Sequence, residues 1–215
     1  MIISIKWLYV CIVLLATLIF TGCTHTSTIP DAALRNQGPE FVVDKKFDFA
    51  VNLCLTDELR ESKWERHSRG VTWVMPIGNQ LAKKASDLSD SLFKTVLVTN
   101  TPLPAEKTQV DAILTPRVVS IERSVGTTVS SESLLAVVLE WKLEDRHGNI
   151  IWLDSIKGES RGKADTTGFT QANNADQRDE DLLKDLFAQS LHAIRTSPEI
   201  SQFETKNRNK GGTIN

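Results

Sequence analysis

Apolar and polar positions alternate with period two over Phe47-Asp-Phe-Ala-Val-Asn-Leu-Cys-Leu55, placing Phe47, Phe49, Val51, Leu53 and Leu55 on one face. That pattern, rich in aromatic and β-branched residues, predicts a strand. A helical period follows from Pro76 to about Phe93, with Ile77, Leu81, Ala85, Leu88 and Leu92 on one stripe. Proline suits the start of such a helix. Lys94–Thr99 reads as a short strand. Val110–Arg123 reads as another, in which Pro116 requires an edge or a bulge. Leu135, Val137, Leu139, Trp141 and Leu143 mark a strand over Leu134–Glu144, and Asp145–Asn149 is a turn in which Gly148 supplies the positive φ. Ile150–Ile156 returns as its partner. A last helix spans Asp176 to about Ser197, on the stripe Leu182, Leu183, Leu186, Phe187, Leu191 and Ile194. Its first turns hold Asp176, Asp179, Glu180 and Asp181, which complement the helix dipole.

The predicted order is therefore β-α-β-β-β-β-α. It describes an α/β (α+β) domain over 47–197, a single mostly antiparallel or mixed sheet with two helices packed on one face. Between these elements, Thr56–Met75 reads as a long charged loop with a helical turn near Leu59, and Gly158–Ala175 as a glycine-containing loop. Residues 198–215 read as a disordered polar tail begun by Pro198.

The amino terminus follows a different pattern. Lys6 precedes an unbroken apolar run of fourteen residues, Trp7–Phe20, which ends in Thr21-Gly22-Cys23. Charge, apolar run and small residues come in the order of a secretory signal. A retained transmembrane helix is one alternative, but a span wants ~20 residues. An ordinary secretory signal with a chance cysteine is the other.

Phe20-Thr21-Gly22-Cys23 resembles the lipobox of bacterial lipoproteins. The small residue before the cut is Gly22. The position of Phe20 is usually Leu in that family. The resemblance implies a signal peptide over 1–22, cleavage before Cys23, lipidation of the Cys23 sulfur and acylation with palmitate-type chains. One acyl chain anchors only marginally, so several are needed. Residues 23–46, polar and holding Pro30 and Pro39, then read as a lipidated tether, able to hold the domain tens of ångströms from the bilayer at ~3.3 Å per residue. Thr24 stands where inner-membrane retention usually places Asp, which implies the outer membrane, periplasmic side.

The domain itself looks like the small α/β unit of several bacterial envelope lipoproteins: the curli secretion-channel family, the exopolysaccharide-export ring family and the amino-terminal domain of the Tol translocation protein. The hooks are the helix opened at Gly78 with Leu81, Ala85 and Leu92-Phe93, the Val110-Asp-Ala-Ile-Leu114 strand and the Leu143–Trp152 hairpin. The resemblance covers about Phe47 to Ser197 and is one of fold, which does not carry function with it.

The 215-residue chain has a formal charge of −2, and loss of Lys6 with the signal makes it −3 over 193 residues. This suits one domain and lacks the basic excess of a nucleic-acid binder. Cys11 leaves with the signal and Cys23 is taken by lipid, so Cys54 has no disulfide partner and reads as a small buried hydrophobe. His25, His67, His147 and His192 show no ligand spacing, and nucleophile-elbow, P-loop and dinucleotide motifs are missing from the sequence. The acids at 176–181 read as a helix start rather than a metal site. Arg60, Lys63, Arg66 and Arg69 with Trp64 and Trp73 form one basic-aromatic patch suited to anionic lipid or polysaccharide, offset by Asp57, Glu58, Glu61 and Glu65. The expectation is a non-enzymatic accessory or scaffold in envelope assembly or transport, without cofactor or metal, partnered by envelope proteins or its own copies. The alternative is an envelope enzyme or a small-ligand or polysaccharide binder using groups such as Arg66, His67 or Asp165. Display on the outer cell face is a third possibility.

Overall fold

Two sheets carry the structure, a computed structural model that describes residues 23–26, 41–68, 71–102, 109–124, 132–163 and 171–211. In chain order the elements are β1 (Cys23–Thr26), β2 (Phe47–Cys54), α1 (Asp57–Arg60), β3 (Lys63–Ser68), β4 (Val71–Pro76), α2 (Gly78–Leu92) and β5 (Phe93–Thr99). They continue with β6 (Ala112–Ser124), β7 (Glu132–Asp145), β8 (Ile150–Lys163), α3 (Gln171–Thr196) and α4 (Pro198–Gly211). The large sheet has the order β5-β2-β6-β7-β8. β2 pairs in parallel with both β5 and β6, while β6, β7 and β8 form an antiparallel meander. The mixed α/β architecture expected from the periodicities is the one observed.

The alternating residues of β2 and β7 face α2 and α3. Val51, Leu53, Val137, Leu139, Trp141 and Leu143 are fully buried against Leu81, Leu88, Leu92, Leu182, Leu186 and Phe187. Each such side chain contributes about 1.5–3 kcal/mol on leaving water. Fully buried Asn52 fastens the parallel edge, donating its amide to Leu97 O and Thr99 Oγ1, both at 3.0 Å. Pro116 is tolerated because β2 stops pairing with β6 at Leu114, and the β6–β7 register shifts soon after, between Val118 and Ser120. Gly148 closes the β7–β8 turn at φ 81°, as its position requires.

Four expectations are corrected. The charged stretch 56–75 is not a loop: α1 is capped by Thr56, whose Oγ1 accepts Leu59 N–H, and β3 and β4 then form an antiparallel hairpin in a second sheet, β1-β4-β3. The stretch from Gly158 to Ala175 is not a loop throughout: β8 runs on to Lys163, α3 already begins at Gln171, and positions 164–170 lie outside the described residues. The polar tail is helical as far as Gly211. Pro198 ends α3 and also opens α4, Ser197 Oγ accepts Ile200 N–H at 3.2 Å, and Ile200 is fully buried. Phe203 of α4 meets Phe49 edge-on, with centroids 5.3 Å apart.

The fourth correction concerns 23–46. The first four residues of this segment are strand β1, paired in parallel with β4. Its far end is held too: Phe41 is buried beside Phe187, and Arg195 of α3 donates to Lys45 O. The domain therefore starts before Phe47.

Candidate functional site

The basic-aromatic patch of the sequence is the β3–β4 hairpin. Side chains alternate across a strand, so Trp64 and Arg66 share one face while Lys63, Glu65 and His67 share the other. In register, Trp64 lies opposite Met75 and Arg66 opposite Trp73. The base of the hairpin is fixed to the main sheet on the Trp64 face. The Arg123 guanidinium of β6 sits 5.5 Å from the Trp64 ring centroid, a cation–π distance, and its Nη1 lies 3.2 Å from Met75 Sδ. Met75 is buried and Trp64 half-buried. Farther along the same face, towards the Ser68–Val71 end, Arg66 is exposed and Trp73 is 44% exposed. Of the two tryptophans that sequence reading singles out, Trp64 packs against the core and Trp73 keeps 44% of its surface exposed.

The opposite face is electrically balanced at its base. Lys63 and Glu65 form an ion pair at 2.9 Å, and His67 Nδ1 shares a hydrogen bond with Thr72 Oγ1 at 3.0 Å. Arg66 and His67, considered together as possible pocket groups, point to opposite faces of β3. Asp165 and Arg69 lie outside the described residues.

Cys23, the residue expected to carry lipid, is the first residue of β1 and sits in register with Val71, at the turn end of the hairpin; His25 is in register with Trp73. Because β1 and β4 are parallel, the chain runs from Cys23 towards the hairpin base and the main sheet. Sequence reading misses this because Cys-Thr-His-Thr has no apolar alternation. Its two threonines are the sole strand signal.

The remaining candidates are dispersed. His147 lies in the β7–β8 turn and exposed His192 on α3. Asp179 is buried, Glu180 pairs with Lys184 at 2.8 Å and Asp181 is exposed, while the side chain of Asp176 lies outside the described residues. Among the described residues there is no group of three His, Cys, Asp or Glu side chains able to hold a metal. Cys54 is a free, fully buried thiol, pushed above its ordinary pKa by burial against a smaller opposing pull from Lys142. A shallow open depression on α4 is lined by Ser201, Gln202, Thr205, Lys206 and Asn209 and brings together no acid–base pair. No described helix is long and apolar enough to cross a membrane.

No family model matches the chain. No curated protein matches its sequence. Among solved structures it is similar to a Xanthomonas campestris protein of family DUF330, with 13% identity over 80% of this chain and 96% of that one and a TM-score of 0.45. It is similar to lipoprotein B of Nitrosomonas europaea, with 18% identity, 77% and 97% coverage and a TM-score of 0.42. It is also similar to a minor lipoprotein of Acinetobacter baumannii, with 18% identity, 72% and 92% coverage and a TM-score of 0.38. Similarity at this level assigns neither activity nor partner.

Proposed function

We propose that the chain is a bacterial lipoprotein anchored through Cys23 to the periplasmic side of the outer membrane. In this reading it serves there as a non-enzymatic accessory or scaffold in envelope assembly or transport. The observation that carries the reading is the order Lys6, the apolar run Trp7–Phe20 and Thr21-Gly22-Cys23, which couples a secretory signal to a lipid-accepting cysteine. Several acyl chains together hold a protein durably, at ~0.8 kcal/mol per buried methylene. Thr24 in place of Asp supports the outer-membrane destination. Among the described residues, His67, His147 and His192 occupy a hairpin, a turn and a helix on separate parts of the fold.

The test is Cys23→Ala in the native host, followed by membrane fractionation and palmitate labelling. Loss of label and of membrane retention is expected. A variant that keeps both refutes the anchor. Crosslinking of the wild-type chain in its membrane then tests the scaffold role: recovery of an envelope protein or of a second copy supports it, and an exclusively uncrosslinked chain speaks against it.

A further inference from the structure

Cys23 is not at the end of a free tether. It starts a strand whose register with β4 is continuous, Cys23 with Val71, Thr24 with Thr72, His25 with Trp73 and Thr26 with Val74. A paired strand has no slack. If the Cys23 sulfur carries lipid, its backbone lies close to where glycerol meets the hydrocarbon, and the hairpin end at Ser68 and Val71 lies beside it, about two strand spacings across at most. With β1 parallel to β4, the Ser68–Val71 end of the hairpin is then the end beside the lipid, and the main sheet lies towards the opposite end.

The side chains along the hairpin fit this placement. Trp73 is two residues from Val71, about 7 Å along the strand. The headgroup layer on each side of a bilayer is about 5–7 Å thick, from a total of ~40–45 Å around a ~30 Å hydrocarbon core. The exposed indole of Trp73 and the exposed guanidinium of Arg66 opposite it therefore stand within about one headgroup-layer thickness of the Cys23–Val71 pair. Tryptophan concentrates at that depth, and arginine is attracted to anionic phospholipid there. The nearest carboxylate on β3, Glu65, is on the other face and already paired with Lys63. At the hairpin base, where the strand leaves the headgroup layer, Trp64 and Met75 turn instead into the protein and are held by Arg123.

We infer that the β1-β4-β3 sheet is a membrane-docking surface that seats the domain directly on a phospholipid bilayer, with Trp73 and Arg66 in the headgroup layer beside the lipidated Cys23. The inference rests on the lipoprotein reading and adds to it a fixed orientation in place of a flexible leash.

The test uses the lipidated full chain, extracted from host membranes and reconstituted into vesicles of phosphatidylethanolamine and phosphatidylglycerol with brominated acyl chains. Flotation of the vesicles reports the anchor, and tryptophan quenching reports the docking. The wild type is expected to float and to be quenched. Trp73→Phe is expected to float and lose most of the quenching, while Trp152→Phe keeps it, since Trp152 is buried in the main sheet. His25→Pro combined with Thr26→Pro removes a ladder donor from β1 whichever of the two N–H groups faces β4, and this chain is expected to float with reduced Trp73 quenching. A wild type that floats without quenching, or a Trp73→Phe chain quenched as strongly as the wild type, overturns the docking and leaves the anchor standing. A chain that does not float overturns the anchor reading and the docking with it.

Discussion

The indole N–H of Trp141 on β7 donates to Ser190 Oγ on α3 at 3.0 Å, with both residues fully buried. Ser190 in turn donates to Leu186 O at 2.9 Å, so the hydroxyl is used in both directions. This bond sits where the central strand of the meander meets the long helix. Ser190→Ala leaves a buried indole donor without its partner, and a loss of about 1–3 kcal/mol is expected in urea unfolding. Trp141→Phe removes the donor along with part of the ring, so a further Ser190→Ala change on that background is expected to cost clearly less than it does alone.

Gly158 of β8 is required by the same helix. A Cβ there would stand 2.5 Å from Leu186 Cβ and 2.9 Å from Leu186 Cα. The helix backbone cannot swing aside as a flexible side chain can, so Gly158→Ala is expected to lower stability by about 1–3 kcal/mol, read as a fall in melting temperature. Wild-type stability in the variant would show that α3 does not press on β8 as described.

The carboxy-terminal helix carries structural weight despite its polar composition. Ile200 is fully buried, and truncating it to Ala is expected to cost about 2–5 kcal/mol. Exposed Thr205 on the same helix provides the contrast, since Thr205→Ala is expected to change stability by less than about 0.5 kcal/mol.

Asp145 organises the β7–β8 turn. Its Oδ1 accepts His147 N–H at 2.8 Å and Asn149 N–H at 2.9 Å, and its Oδ2 accepts Asn149 Nδ2–H at 2.9 Å. Burial alone would raise its pKa, but the hydrogen bonds from Asn149 and His147 together outweigh that and hold the carboxyl below its ordinary value. A depressed folded pKa gives a contribution that is complete above the unfolded value of ~3.9 and is lost as pH falls through the folded pKa. The amide resonances of His147 and Asn149 are therefore expected to shift together only in acid, below that value. In Asp145→Ala the coordinated shift is expected to disappear.

Cys54 is expected to be chemically silent in the folded chain. Its thiol is fully buried and its pKa is raised, so the nucleophilic thiolate is scarce and out of reach. A thiol reagent should label it slowly in the native state and fully on unfolding. Rapid native labelling would contradict its placement in the core.

The parts of the fold that were legible in the sequence are those whose burial follows a simple period. β2, β7 and the stripes of α2 and α3 each bury a continuous face, so alternation and helical spacing revealed them. β3 is illegible because it is an edge strand paired with β4 alone in the small sheet, and Trp64 is its single apolar residue. The far half of β8 reads as loop in the sequence because its inner face meets α3 through Gly158 and Ser160 rather than through large apolar groups. α4 was missed because Ile200 and Phe203 are too few to make a stripe. For the candidate site, the chemistry of Cys23 is visible in its neighbours, whereas its pairing with Val71 is not, since the polar β1 pairs through its backbone and leaves no hydrophobic pattern.

Anchoring and docking both depend on Cys23 being the mature amino terminus and the point of attachment to the membrane. Mass spectrometry of the amino-terminal peptide of the native protein tests it most directly. That peptide is expected to begin at Cys23 and to carry diacylglyceryl and acyl groups. A peptide that begins at Met1, or one in which Cys23 keeps a free thiol, would contradict it.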